Sequence, residues 1–433
     1  MRLKRVEIEN FRAIDHVELP LEASRVLDPQ LTVLHGDNAN GKTSVLGAIA
    51  VGLGAISTLL PDVYGISFKD TDRRRGAHYT RITLTSTDDI SWDRSTGVLT
   101  RTAMASPLFR LTKIKEYVSQ FTTKDTKEIA DLPIFAYYDT DRAVFDLPQR
   151  RRNFKNEFSR FEALDGALTA KISFRSVFEW FYAKQHEELI EQRNRRSFDY
   201  CLKDLDAVRR AIISMIRGSS SPHIELSPLR FVISLKNNEG KSEKLSLSEM
   251  SGGYRIILAL AADLARRMAQ GNPHLDDPLK SEAIVLIDEV DLHLHPAWQQ
   301  TVLMDLMRTF PNTQFIVSTH SPQVLSTVEQ NRIIRLSRRD GEIHASPATS
   351  ATYGAEAGSV LQTEMGVNER PQNEFSQKLK EYFGLIDRND YNSDHARELR
   401  HRLEELSSRD TGLDRADGEI RRREVLKSLG RQI

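Results

Sequence analysis

The chemistry this sequence can do is concentrated in one short run. Gly36-Asp37-Asn38-Ala39-Asn40-Gly41-Lys42-Thr43-Ser44 fits G-x-x-x-x-G-K-[ST], the Walker A phosphate loop. Gly36 and Gly41 let the backbone turn tightly and bring N–H groups up to phosphate oxygens. Lys42 places a point charge on the terminal phosphates, and the Thr43 hydroxyl can coordinate Mg²⁺. ATP and Mg²⁺ are therefore the expected ligands, held by Gly36, Asp37, Asn38, Asn40, Gly41, Lys42, Thr43 and Ser44. Such a loop needs two supports. Leu31-Thr32-Val33-Leu34-His35 reads as a short buried strand before it. Ser44 to Leu60 reads as a helix after it, with its N-terminus facing the anion. A Gly/Lys turn can arise by chance, and the strand and helix on either side argue against that.

Three further runs extend the chemistry. Ile284-Val285-Leu286-Ile287-Asp288-Glu289 has four apolar residues and then two carboxylates, a Walker B pattern. Asp288 is expected to hold Mg²⁺ directly or through water, and Glu289 to orient or activate the attacking water as general base. Taken alone, this is equally well a buried strand ending in a solvated acidic turn. The upstream phosphate loop decides for the first reading. Ser251-Gly252-Gly253-Tyr254 lies 37 residues before Asp288 and precedes a helical pattern of Ile256, Leu258, Leu260 and Leu264. A helix N-terminus with small residues offers N–H groups and a hydroxyl to a phosphate. In isolation it is an ordinary helix cap, and only its order among the other motifs raises it. In Ser318-Thr319-His320-Ser321, His320 ends another strand, where a satisfied surface histidine is the plain alternative. Asp291-Leu292-His293-Leu294-His295-Pro296 invites a metal site. A structural loop is preferred, and no metal cluster is claimed.

Composition sets the outer limits. The 433 residues suffice for two or three domains, or one large domain with insertions. Lys plus Arg and Asp plus Glu are each 61, so zero net charge gives no global argument for nucleic-acid binding. Only local clusters, Arg73-Arg74-Arg75 and Arg150-Arg151-Arg152, suggest one, and such runs are more often solvated surface. Cys201 is the only cysteine, which excludes an intramolecular disulfide and a cysteine-based zinc site and suits a reducing, cytoplasmic setting. No signal peptide follows Met1. The uncharged run from Val45 to Leu60 is short for a membrane span and reads as a buried helix.

Along the chain, Leu3, Val6 and Ile8 alternate into a turn at Asn10-Phe11-Arg12, with a second strand near Val17-Glu18-Leu19. Ile82 to Thr85 and the segment around Val98-Leu99-Thr100 suggest a hairpin turning at Asp88-Asp89. Leu132 to Tyr138 is a further strand. From about Asn156 to Arg217, Phe174, Val177, Phe178 and Phe181, then Leu202, Leu205, Val208, Ile212 and Ile216, recur at helical spacing. Gly218-Ser219-Ser220-Ser221-Pro222 reads as a linker, Phe231 to Leu235 as a strand, and Asn238-Glu239-Gly240 as a hairpin turn. Ala283 to Ile287 and Gln314 to Ser318 look buried on both faces, as in a parallel sheet. A helix from Pro296 to about Phe310 would join them. The expected segments are 1–155, 156–222 (helical insertion), 223–347 and 348–433 (helical extension).

The motifs in this order resemble the RecF/structural-maintenance-of-chromosomes branch of ABC-type ATPases. Ser251-Gly252-Gly253-Tyr254 is similar to the Leu-Ser-Gly-Gly-Gln signature, with Tyr254 in the Gln position. His320 falls at the switch histidine, and the Asp291 to Pro296 run at the D-loop. Ile8-Glu9-Asn10-Phe11-Arg12 resembles the opening of that branch. A closer resemblance is to PtuA-type ATPases of Septu and retron-associated antiphage systems. It rests on Tyr137-Tyr138-Asp139-Thr140-Asp141-Arg142, Ser251 to Arg255, Asp288 to Pro296, and the tail from Tyr353-Gly354-Ala355 to Arg370-Pro371. No Q-loop glutamine is evident, and Asp141 or Arg142 stands in that region.

The resemblance implies an α/β fold: an ABC-type P-loop ATPase head with an N-terminal antiparallel β subdomain, an α-helical insertion and a helical C-terminal extension. It implies Glu289, His320 and Lys42 as catalytic residues and Thr43 and Asp288 as metal ligands. Two copies would pair head to tail, so that Ser251, Gly252 and Gly253 of one meet the nucleotide of the other. The implied partner is a separately encoded HNH nuclease, with nucleic acid reached through the complex and no membrane involved. The alternatives are a RecF-like repair ATPase acting directly on DNA, and an ATP-dependent assembly scaffold.

Overall fold

The computed structural model describes residues 1–21, 31–99, 111–122, 129–140, 143–144, 154–155, 157–169, 172–236, 240–368 and 370–429. Asp141, Arg142, Arg150 to Arg152, Asn156, Thr100, Asn238 and Glu239 lie outside the described residues. The chain forms two compact units, Met1–Met365 and Gly366–Ile433.

The first unit is built on two sheets with a helix between them. Strands β1 (Leu3–Phe11), β2 (Ile14–Pro20), β4 (Tyr79–Ser86) and β5 (Ser91–Gly97) form an antiparallel sheet in the order β2-β1-β4-β5. From Val6 to Glu9, β1 alternates between buried and half-exposed residues, as a one-sided sheet requires. Strands β3 (Leu31–His35), β6 (Ile134–Tyr138), β12 (Ala283–Ile287), β13 (Thr313–Ser318), β14 (Ile333–Arg339) and β15 (Glu342–Pro347) form the central sheet, ordered β15-β14-β3-β13-β12-β6. All its pairings are parallel except β14 with β15. Strands β3, β6, β12 and β13 are buried along their whole length, which explains the unbroken apolar run of β12 and the apolar centres of β3 and β13.

Helix α1 (Lys42–Ser57) contacts both sheets and is buried on nearly every face, so its sequence lacks an amphipathic stripe. The Trp92 indole donates to Gly52 O at 3.0 Å, and Arg94 donates to Val51 O at 2.7 Å. The Gln314 amide exchanges two hydrogen bonds with the Leu3 backbone, at 2.7 and 2.8 Å, and ties β1 to β13.

The remaining elements flank this core. Helix α2 (Thr112–Thr122) is followed, beyond β6, by a two-residue pairing of β7 (Ala143–Val144) with β8 (Ile172–Ser173). Helices α3 (Phe174–Arg195) and α4 (Lys203–Met215) make up the insertion, and Phe174, Val177, Phe178, Phe181, Leu205, Val208 and Ile212 are all buried. Strands β9 (Ser219–Leu226), β10 (Leu229–Lys236) and β11 (Ser242–Ser246) form a three-stranded antiparallel sheet. Helix α5 (Gly252–Gly271) and helix α6 (Val302–Thr309) complete the sequence of elements around β12 and β13. The second unit holds α7 (Glu374–Asp387), α8 (Asp394–Ser407) and α9 (Thr411–Ser428) around its own core of Leu379, Ile386, Leu399, Leu403 and Leu413.

Four expectations are corrected. Gly218 to Pro222 is not a linker, because Ser219 and Ser220 pair with Leu235 and Ser234 in edge strand β9. The register shift at Val232/Ser234 accommodates Ser221 and Pro222, since proline fits a bulge on an edge strand. The partner of β4 is Ser91–Gly97 rather than the Val98 segment, because the turn at Asp89 (φ 54°) closes early. The helix from Pro296 breaks at Thr301 (φ −123°), leaving a single turn, Pro296–Gln299, before α6. Finally, α1 begins at Lys42 and ends at Ser57, where Thr58, Leu59 and Leu60 bond back onto it as turns.

Candidate functional site

The carboxyl edge of the central sheet gathers the phosphate loop, Asp288 and Glu289. The loop leaves β3 through Gly36 (φ +147°) and enters α1 through Gly41 (φ +87°). A Cβ on Gly36 would stand 2.2 Å from Leu336 O, and one on Gly41 would stand 2.8 Å from Ile343 Cδ1. The loop therefore leans on β14 and β15, and only glycine permits both the dihedral and the approach. Asn40 is buried and donates its amide to Leu336 O at 3.1 Å, while Asp37, Asn38 and Thr43 are exposed and Ser44 half-exposed. The first backbone N–H groups of α1 face the loop without a side-chain cap.

Lys42 is buried and curls over the loop, donating to Gly36 O at 2.7 Å and Asp37 O at 3.0 Å. Burial lowers its pKa, against the opposing pull of Asp288, Glu289, Asp37 and Asp291. A buried ammonium bonded to carbonyls is suited to receive an anion. Thr43 Oγ1 donates to Asp288 Oδ2 at 2.6 Å, so the two expected metal ligands are adjacent. This pair of hard oxygens fits Mg²⁺, which takes one or two protein oxygens and fills its shell with substrate phosphate and water. Among the described residues no group of three or more His, Cys, Asp or Glu is placed to hold a metal.

Ser318, at the end of β13, organises the acidic pair. Its Oγ donates to Asp288 Oδ1 and accepts from Glu289 N at 2.8 Å, and its carbonyl accepts from Val290 N at 2.9 Å. Glu289 is held at φ +46°, a left-handed conformation that costs energy for a residue with a Cβ. Asp288 N donates to Tyr138 O at 2.8 Å on the neighbouring β6. The role of Ser318 was missed in the sequence. Its signal is a hydroxyl closing the apolar run Phe315-Ile316-Val317.

His320 is half-buried just beyond β13, where Thr319 N donates to Leu34 O at 3.1 Å and brings the segment to the end of β3. Asp291 accepts from the Thr319 hydroxyl, and His295 Nδ1 accepts from Ala297 N at 3.3 Å as the cap of Pro296–Gln299. These groups serve loop structure. His293 is exposed at φ +62°.

The Ser251-Gly252-Gly253 run does not join this edge through any described contact. It starts α5, with Ser251 and Gly252 exposed. Gly253 instead packs on its own chain's D-loop: a Cβ there would meet His293 O at 2.8 Å. Next to it Tyr254 meets Trp298 edge to face, with ring centroids 4.4 Å apart. In the Arg73 to Arg75 cluster, Arg74 is ion-paired with Asp15, while Arg73 and Arg75 are exposed.

One buried pair behind the loop was also not anticipated. His35 precedes Gly36 and is buried, with Nε2 at 3.7 Å from Glu364 Oε2. Burial lowers the His35 pKa to about 4, despite the opposing Glu364 charge. Burial alone would raise the Glu364 carboxyl, but hydrogen bonds from Ser350 and Thr349 hold it below the ordinary range.

The chain is similar to several known proteins. The family described as "AAA domain, putative AbiEii toxin, Type IV TA system" matches residues 31–326, and "AAA ATPase domain" matches residues 1–54. The "Retron Ec83 probable ATPase" of Escherichia coli is 28% identical, covering 92% of this chain and 82% of that one. The "Septu protein PtuA" of Bacillus mycoides is 25% identical, over 74% of this chain but 38% of its own length. Among solved structures, the "SMC head domain from Thermotoga maritima" aligns over 81% of this chain and 100% of that one, at 16% identity and a TM-score of 0.41. With the family match spanning residues 31–326 and the phosphate loop, Asp288 and Glu289 on one sheet edge, the chain belongs to this AAA-domain family and is a P-loop ATPase.

Proposed function

We propose that this chain is the ATP-hydrolysing regulatory subunit of a bacterial antiphage defence complex, working as a head-to-tail pair around ATP. The observation that carries the hydrolytic part is the 2.6 Å contact between Thr43 and Asp288, with Glu289 next to it. The loop N–H groups and Lys42 bind and orient the triphosphate. Thr43 and Asp288 would hold Mg²⁺, which would supply neutralisation of the triphosphate's negative charge. Glu289 accepts the proton of the water that attacks the γ-phosphorus, as the bond to the β-phosphate oxygen breaks and ADP leaves. His320 donates a hydrogen bond to the γ-phosphate.

Exposure of Ser251 and Gly252 supports the pairing, since both are free to meet a nucleotide on a second copy. ATP would then bridge the copies and shift their association by mass action. The retron and Septu relatives support a defence role. The proposed partner is a separately encoded HNH nuclease, docked through the α3–α4 insertion or the C-terminal helices. The single cysteine fits a cytoplasmic setting, and no helix among the described residues is long and apolar enough to cross a membrane. The test is Glu289→Gln in size-exclusion chromatography with light scattering. ATP turnover should fall at least about a hundred-fold, while ATP traps a dimer that the wild type forms only transiently. A variant that stays monomeric with ATP refutes the pairing, and one that keeps full turnover refutes the role of Glu289. Recovery of no nuclease with the tagged chain from its native operon refutes the partner.

A further inference from the structure

A cluster of charges is buried on α5, away from the nucleotide site. Asp263, Arg266 and Arg267 have side chains only 1%, 6% and 6% exposed. Asp263 Oδ1 accepts from Arg266 Nη2 at 2.9 Å, and Oδ2 accepts from Arg267 Nε at 2.7 Å. Arg267 Nη1 also donates to Ala163 O at 2.7 Å and Asp165 O at 3.1 Å. Arg266 Nη1 donates to Gln270 Oε1 at 2.8 Å, and Gln270 in turn donates to Ser159 O at 2.8 Å. Desolvating three charges is expensive, and a well-packed apolar cluster would hold a helix on a sheet at least as well. Such a cluster makes sense where it fixes one geometry.

The remaining partner of Asp263 shows which geometry is fixed. Tyr138 OH donates to Asp263 Oδ2 at 3.0 Å, and Tyr138 O accepts from Asp288 N at 2.8 Å. One residue thus holds the Asp263 carboxylate by its phenol and the Asp288 backbone by its carbonyl. Tyr138 is the last residue of β6 and stands opposite Ile287 in the parallel register, one residue before Asp288. It is buried, and burial followed by the Asp263 charge raises its pKa well above the ordinary value, so the phenol remains a donor. At its N-terminal end, α5 carries Ser251 to Gly253, 12 residues before Asp263 and about 18 Å along the helix axis. A helix is stiff over that length, so a displacement at Ser251 is carried to Asp263.

We propose that Tyr138 is a positioning residue that couples the placement of α5 to the placement of Asp288 and Glu289. The proposal rests on the composite-site reading given above for its trigger, engagement of Ser251 by a second copy. When α5 is seated, Tyr138 sets the Asp288 backbone, and the carboxylates take their hydrolytic positions. When α5 shifts, the same contacts draw Asp288 out of line without emptying the phosphate loop, which depends on β3, β14 and β15.

The test uses the full chain as wild type, Tyr138→Phe, Ser251→Ala and the double variant. It measures ATP turnover, binding of the non-hydrolysable analogue AMP-PNP, and melting temperature. Tyr138→Phe removes one hydroxyl and leaves both arginines on Asp263. It should lower kcat about ten-fold and leave the AMP-PNP Kd within about two-fold of wild type. The double variant should turn over no more slowly than the worse single variant, since both changes break one coupling. Turnover of Tyr138→Phe within about two-fold of wild type overturns the proposal. So does a parallel fall in kcat, affinity and melting temperature, which marks a merely structural knot, and so does a multiplicative double variant. If wild-type turnover per chain is independent of protein concentration and Ser251→Ala is silent, the composite site fails. The kcat and Kd of Tyr138→Phe then still decide the link to Asp288.

Discussion

Acidification from pH 7.5 to pH 5 should destabilise the first unit by forcing a proton onto His35. Its pKa is lowered from 6.5 to about 4, mainly because burial penalises the imidazolium. The unfolded chain therefore binds this proton at a higher pH than the folded one. His35 favours folding fully above its unfolded pKa, and that contribution is lost as pH falls toward the folded value. The difference, about 2.5 units, corresponds to about 3.4 kcal/mol at about 1.36 kcal/mol per unit. Integration between the two values gives a loss of about 0.8 kcal/mol by pH 6 and about 2 kcal/mol by pH 5. Trp92, Trp180 and Trp298 are the only tryptophans, and all lie in the first unit, so their fluorescence in urea follows that unit alone. Wild type and His35→Asn should be compared at pH 7.5, 6 and 5. His35→Asn costs stability at every pH, but its deficit against wild type should shrink by about 2 kcal/mol from pH 7.5 to pH 5. A deficit independent of pH refutes the reasoning, because the imidazole then does not titrate with a lowered pKa.

Gly36→Ala forces a Cβ to 2.2 Å from Leu336 O at φ +147°, so it should displace the loop and weaken ATP binding at least about ten-fold by calorimetry, with a lowered melting temperature. Unchanged affinity would mean that β14 gives way instead of the loop. In the second unit, Asp410 caps α9 through Gly412 N at 2.7 Å and takes two hydrogen bonds from Arg370, at 2.8 and 3.0 Å. Asp410→Ala should cost that unit about 1–2 kcal/mol. Hydrogen exchange should show faster opening of residues 374–428 and leave β12 and β13 protected.

The phosphate loop, the acidic pair and the strands beneath them were legible because each is local. Gly36 to Ser44 is a contiguous pattern with one geometric solution, and Ala283 to Ile287 is apolar throughout because both its faces are covered. What escaped the sequence is non-local. Ser318 meets Asp288 across 30 residues of chain, Tyr138 meets Asp263 across 125, and His35 meets Glu364 in a segment far downstream. Nothing in Ser219 to Pro222 distinguishes a linker from an edge strand until Leu235 and Ser234 come alongside. The surface-like triplet of Ser, Gly and Pro outweighed a pairing that only the folded chain supplies. Gly252 and Gly253 look equivalent in the sequence, yet one faces solvent and the other is pressed against His293 O.

Strand order gives the site a built-in gauge. The loop rises from β3 and the acidic pair from β12, and β13 lies between them. Two inter-strand steps amount to about 9.6 Å, a span no single cation can bridge between backbones. The gap is closed by short side chains: Thr43 reaching from the start of α1, and Ser318 rising from the middle strand to brace Asp288. The contact between Thr43 and Asp288 is thus set by the thickness of one β-strand and the length of two hydroxyl side chains. A hydroxyl of serine or threonine size is what this spacing admits at position 318. A longer side chain there would displace the acidic pair that the Ser318 hydroxyl braces.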